Sequence, residues 1–116
     1  MVPEHMGNTY LRFFRLMSAI NNPAFPTLDD TSRKILEIVA SEAFLSHRYL
    51  TVKQLIEMDD LGSKANLHNR LHGLVENGYV KLVPQSDARF KDIIPTAKAK
   101  KYFEALSRAL KKSLES

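Results

Sequence analysis

Residues 51–83 read TVKQLIEMDDLGSKANLHNRLHGLVENGYVKLV. Thr51, three residues ahead of Gln54, has the form of a capping box, in which each side chain satisfies a backbone N–H that the first helical turn leaves open. A short helix is therefore predicted from Val52 to about Met58, with Val52, Leu55 and Ile56 on its buried face. Asp59-Asp60-Leu61-Gly62 predicts a tight turn, the glycine taking a conformation that side chains resist. Ser63 then caps a longer helix over 64–77, in which Leu67, Leu71 and Leu74 recur at i, i+4 and i+7 and face the core. Asn77-Gly78 ends it, with glycine where helices favour a left-handed residue. Beyond that point the period changes from helical to alternating, and Tyr79–Val83 reads as a strand that Pro84 terminates. Two helices joined by a short glycine-containing turn form a helix-turn-helix unit.

Toward the N-terminus, Met6, Tyr10, Phe13, Phe14, Met17 and Ile20 make one apolar face of a helix over 6–21. Asn21-Asn22-Pro23 stops it, because the residue before proline is pushed out of the helical region. Phe25 and Pro26 belong to a linker. Asp29, Asp30 or Thr31 caps the next helix, whose buried stripe is Ile35, Ile38, Val39 and Ala43 and which fades near Ser46. Tyr49-Leu50-Thr51 is a short extended link. After the first strand, Gln85–Ala88 is turn material, and Arg89–Ile94 is a second strand able to pair back as a hairpin. Thr96 caps a last helix striped with Tyr102, Phe103, Leu106, Leu110 and Leu114. The fold expected is mostly α with a β-hairpin wing, a winged helix-turn-helix with flanking N- and C-terminal helices. It forms one domain over 1–116: N-terminal helix 6–21, winged-helix core 28–95 and C-terminal helix 96–116.

Composition narrows the function. The chain has 116 residues, no cysteine and a formal charge of +4. Disulfides, thiolate metal sites and cysteine nucleophiles are thereby excluded, and a reducing cytosol fits. No apolar run approaches the roughly 20 residues that span a bilayer, and the opening residues lack the basic, apolar and small-residue succession of a secretory signal. A cytoplasmic protein with no membrane partner is expected. Excess positive charge suits a polyanion, but its position decides more than its sum.

That position is the helix over 64–77. With Leu67, Leu71 and Leu74 turned inward, its remaining face carries Lys64, Asn66, His68, Asn69, Arg70 and His72, with no acid before Glu76. Asparagine can pair bidentately with adenine, and lysine or arginine with guanine. Ser63, at a helix start with free N–H groups behind it, suits a phosphate. A polar helix face is often merely solvated; an acid-free one at this place in a helix-turn-helix order favours duplex DNA.

The segment 51–83, continued by SDARFKDIIPTAKAKKYFEAL over 86–106, resembles the MarR-type winged-helix transcriptional regulators. The likeness spans roughly residues 28–106 and includes an acid-x-arginine, Asp87-Ala88-Arg89, in the wing, and Pro95-Thr96 ahead of the helix that follows. It implies that residues early in the second helix of the unit read bases and that the wing arginine meets the minor groove or its phosphates. Carried over by position, it nominates Ser63, Lys64, Asn66, Asn69, Arg70 and Arg89. Helix geometry adds His68 and His72, and Lys91 joins Arg89 on the hairpin. The family binds DNA as dimers, so a homodimer through the N- and C-terminal helices is expected; the same apolar stripes could equally complete a monomer core. The chain has one helix after the wing where that family usually has two, and an effector ligand is left unassigned.

Other signals point elsewhere less well. His68, His72 and Glu76 have a spacing that can hold a metal, but no supporting shell is visible, and no metal is expected. Asp59-Asp60 reads as capping, and the scattered glycines at 7, 62, 73 and 78 make no phosphate loop. No cofactor and no enzymatic activity are expected. Lys98, Lys100, Lys101, Arg108, Lys111 and Lys112 on the last helix read as a solvated, dipole-complementing face. The function expected is that of a sequence-specific regulator on double-stranded DNA. The alternatives are a winged-helix protein-interaction module within a larger assembly, and a nucleoid-type binder using the same residues on phosphates.

Overall fold

The computed structural model describes residues 6–19 and 28–115. Ile20, the Asn21–Pro23 stop and the linker residues Phe25 and Pro26 lie outside the described residues, as do the side chains of Met6 and Leu114. The chain is mostly helical, with one small antiparallel sheet. It divides into two compact units, Leu28–Lys101 and Met1–Thr27 together with Tyr102–Ser116.

The larger unit begins with α2 (Asp30–Phe44), capped by Asp29, whose carboxylate accepts from the Ser32 N–H at 2.8 Å and from its hydroxyl at 3.1 Å. Ile35, Leu36, Val39 and Ala40 are its buried apolar residues, whereas Ile38 and Ala43 are only half-buried. The buried face is therefore rotated from the expected stripe, because α2 packs against α4 on one side and the sheet on the other. Burial of each large side chain contributes about 1.5–3 kcal/mol.

Thr51 opens α3 (Val52–Ile56) with the full capping box: Gln54 N–H donates to the Thr51 hydroxyl at 3.1 Å, and Thr51 N–H donates to Gln54 Oε1 at 2.9 Å. The helix stops before the expected Met58. Met58 N–H bonds back to Leu55 at 3.1 Å, and the chain tightens into a 3-10 turn at Asp59–Leu61. Gly62 follows at φ 147°, where only glycine is at ease. Ser63 then caps α4 (Lys64–Glu76), accepting from the Asn66 N–H at 3.2 Å. Leu67, Leu71 and Leu74 are buried as their spacing predicts. Gly78, at φ 79°, turns the chain out of the helix.

The hairpin is β2 (Val80–Pro84) and β3 (Lys91–Pro95), in register Val80↔Pro95, Leu82↔Ile93 and Pro84↔Lys91. Both strands sit further along the chain than expected: β2 begins at Val80 rather than Tyr79 and takes in Pro84, which was expected to end it, and β3 begins at Lys91 rather than Arg89 and takes in Pro95. Arg89 lies in the connection rather than in the second strand, since Phe90 N–H bonds to the Asp87 carbonyl at 3.0 Å and closes a turn there. Leu50–Thr51, expected as a plain link, is a strand, β1, which pairs antiparallel with β3 through Leu50↔Ile93. The sheet is thus three-stranded, ordered β1-β3-β2, with Ile93 fully buried at its centre. Pro84 falls on the edge strand β2, where a missing N–H is tolerated.

α5 (Ala97–Glu115) starts in this unit: the Thr96 hydroxyl accepts from the Ala99 N–H at 3.5 Å and donates to the Tyr79 carbonyl at 3.0 Å. In the smaller unit, α1 (Met6–Ala19) leaves Tyr10 66% and Phe14 58% exposed, with Leu11 and Phe13 exposed beside them. On α5, Tyr102 and Phe103 meet edge to face at 5.2 Å, and Phe103, Leu106 and Leu110 are half-buried.

Candidate nucleic-acid interface

The leucine face of α4 fixes where its polar residues go. Lys64, His68 and His72, four apart, run along the side toward the hairpin. Asn69 is exposed, with Ala65 and Gly73 one turn to either side of it. Asn66 and Arg70, half-buried, fall on the opposite flank. The predicted residues therefore do not form one cluster.

The first group meets the hairpin. A groove of about 670 Å³ opens between α3, α4 and the strands, and Lys53, Lys64, His68, His72, Arg89 and Lys91 stand around it. Its floor is apolar, made by Val52, Ile56, Leu71, Val75 and Leu82, and Glu57 is the one acid among its lining residues. Lys53, Lys64 and Lys91 have no carboxylate partner among the described residues. His72 Nε2 stands 3.0 Å from Glu76; no three potential metal ligands converge among the described residues.

Arg89 is held at the hairpin tip by Asp87, with NH2 2.7 Å from Oδ2 and Nε 3.1 Å from Oδ1. The Arg89 guanidinium holds the Asp87 carboxyl below its ordinary value, the Arg89 backbone N–H adds to this, and Asp87 in turn raises Arg89. Both side chains remain in water, so the clasp orients the arginine rather than burying it. The Phe90 ring centre is 6.0 Å from the Lys53 ammonium and 5.9 Å from the Arg89 guanidinium, which brings α3 to the tip end of the hairpin.

Arg70 is engaged elsewhere. Its NH1 lies 3.1 Å from Asp29 Oδ2, at the start of α2, and its Nε is buried. The Ser32 N–H is the main influence lowering the Asp29 carboxyl; the Ser32 hydroxyl and Arg70 add to it against partial burial. Ser63 is exposed but spends its hydroxyl on its own helix, accepting from the Asn66 N–H.

Two lysines have surroundings that the sequence reading missed. Lys53 sits in α3, away from the helix whose polar face the sequence singles out, and only the fold brings it to the groove. Lys98 was grouped with a solvated face. It is exposed, yet its Nζ donates to the Asn77 carbonyl at 2.6 Å and lies 4.5 Å from the Tyr79 ring centre, closing the C-terminal end of α4. Burial pushes the Tyr79 hydroxyl above its ordinary value.

No family model matches the chain, and no curated protein or solved structure matches it. Among the described residues no helix is long and apolar enough to cross a membrane.

Proposed function

We propose that this chain is a winged helix-turn-helix transcriptional regulator of the MarR type, cytoplasmic and homodimeric, that binds double-stranded DNA. In this reading α3 and α4 are the helix-turn-helix, α4 lies in the major groove, and the β2–β3 hairpin is the wing. The observation that carries it is the set of cations and imidazoles that α3, α4 and the hairpin turn to one side, Lys53, Lys64, His68, His72, Arg89 and Lys91; Glu57 is the one acid in the groove lining, and Glu76 and Asp87 pair with His72 and Arg89. Asn69 stands exposed on the adjoining surface. Asparagine is the side chain suited to an adenine edge, lysine and arginine to phosphates; Asn69 lies on the outward strip of α4, and the cations come from α3, α4 and the hairpin beside it. Arg89, oriented by Asp87 at the tip, suits a minor groove or the phosphates flanking it.

Selection from a randomised duplex library, with sequencing of the bound fraction, tests this. An enriched inverted repeat is the expected result. Uniform recovery would mean a binder of phosphates without sequence preference. Recovery of no duplex would overturn the DNA reading in favour of a protein-interaction module.

A further inference from the structure

Asn77, Gly78 and Tyr79 carry the chain from the end of α4 into β2, and the start of α5 takes hold of all three of their carbonyls. The Lys98 ammonium donates to Asn77 at 2.6 Å, the Thr96 hydroxyl lies 2.5 Å from the Gly78 carbonyl, and the Thr96 N–H donates to Tyr79 at 2.9 Å. The backbone N–H groups of the same three residues return to α4, at Gly73, Val75 and Leu74. Lys98 adds two contacts. Its Nζ stands 4.5 Å from the centre of the buried Tyr79 ring. Its stem passes Gly78, with Cδ 3.9 Å from where a Cβ on that residue would stand. A cation at a helix C-terminus complements the partial negative charge there, but this one comes from another helix and so ties α4 to α5.

The place of the clasp gives it a consequence. The hairpin leaves from it on both sides, since β2 begins just after Tyr79 and β3 ends just before Thr96. We infer that Lys98 is a positioning residue for DNA reading: by clasping Asn77 and Tyr79 at the root of the hairpin, it fixes the span between Asn69 on α4 and Arg89 at the tip. Two elements that meet one duplex together need a fixed span, and base edges demand placement to within roughly 0.5 Å. Phosphate contacts position the protein without reading sequence, so loss of the clasp takes specificity and leaves the electrostatic attraction. The Lys98 ammonium, engaged with a carbonyl and a ring at the far end of α4, is not one of the phosphate contacts. The effect on recognition rests on the DNA reading; the clasp and the span do not.

The absence of cysteine makes the span directly measurable in the full chain. Spin labels on Ala65→Cys and Ser86→Cys, both exposed positions, report the distance from α4 to the hairpin tip without DNA. The expected result is one narrow distance distribution, which Lys98→Met, keeping the stem without the charge, shifts or broadens and Lys98→Arg leaves narrow. An unchanged distribution in Lys98→Met would overturn the clasp. In unlabelled protein, Lys98→Met should lower the ratio of preferred-duplex to random-duplex affinity by roughly 2- to 30-fold, the range for residues that act through packed neighbours. Affinity for random duplex and its salt dependence should stay as they were, and Lys98→Arg should restore the ratio. A salt dependence flattened by about one unit per protomer would make Lys98 a phosphate ligand instead. Equal loss on both duplexes with a lower melting temperature would make its role structural alone, and an altered span with an unaltered ratio would remove the positioning. A wild type that selects no duplex would remove the DNA reading and the effect on recognition with it, while the label distances would still decide the clasp.

Discussion

Asp29 serves two helices with one carboxylate, capping the start of α2 through Ser32 and holding Arg70 of α4 at 3.1 Å. Its carboxyl is lowered in the folded state, so its contribution to stability is fully present above the unfolded value near 3.8 and is lost as pH falls through the lower folded value. Unfolding by urea across an acid pH series should therefore show the wild type losing stability more steeply than Asp29→Asn below about pH 4. Parallel curves would mean that the carboxylate adds nothing specific. The same ion pair changes what is expected of Arg70 on DNA. Arg70 lies on the flank of α4 that faces the start of α2, with its Nε buried, so Arg70→Gln should leave the dependence of log affinity on log salt nearly unchanged. Arg89→Ala, which removes a water-exposed tip cation, should flatten that dependence by about one unit per protomer. Asn69→Ala should behave differently again, costing roughly 1–3 kcal/mol on the preferred duplex and little on random DNA. If Asn69→Ala and Arg89→Ala leave affinity and slope alike untouched in a folded protein, α4 and the hairpin do not read DNA.

Within α4, Gly73 occupies a helical position where an added Cβ would meet nothing within 4 Å. Gly73→Ala should then stabilise the protein by about 0.8–1 kcal/mol through helix propensity alone. It sits one turn from Asn69 on the outward strip, so the extra methyl should also hold the helix away from base edges and weaken the preferred duplex. Greater stability with weaker binding is the outcome expected from paired urea and duplex titrations; unchanged binding would show that the strip does not approach DNA closely. Thr51→Ala, which removes the cap of α3, should cost about 0.5–2 kcal/mol. These local devices were legible in the sequence because each is closed within a few residues: Thr51 with Gln54, Ser63 with Asn66, Gly78 at the end of α4. The leucine spacing of α4 and the alternation of the hairpin were legible for the same reason. What was not legible depends on distant partners. β1 is two residues long, too short for any alternation, and exists as a strand because Ile93 pairs with Leu50. Lys98 reaches Asn77, and Arg70 reaches Asp29, across stretches of chain that no periodicity links. The polar face of α4 could be read as a list of residues, but its division into a groove side, an outward strip and a flank tied to α2 required the packing.

For the whole molecule the question is what covers α1. Tyr10, Leu11 and Phe14 are each more than half exposed, and Phe13 is 39% exposed, an unusual cost for a helix facing only water. A symmetric dimer would remove that surface twice over, since an isologous interface uses the same patch on both copies. It would also present two copies of α4 to two half-sites of one duplex, as helix-turn-helix dimers do. Sedimentation at micromolar concentration should therefore return about twice the 13.2 kDa chain mass. Phe14→Glu, placing a charge in the centre of the exposed stripe, should shift the protein to monomer without unfolding it, because the position is 58% exposed and supports no core. The two DNA readouts then separate assembly from recognition. Phe14→Glu should lose affinity for the inverted repeat selected by the wild type, while its affinity for an isolated half-site stays as it was. Loss on both duplexes would mean that the substitution had damaged the reading unit itself. A wild type that sediments as a monomer up to high concentration would show that α1 is not a self-association surface, and the proposed pairing of two copies of α4 on one duplex would fall with it.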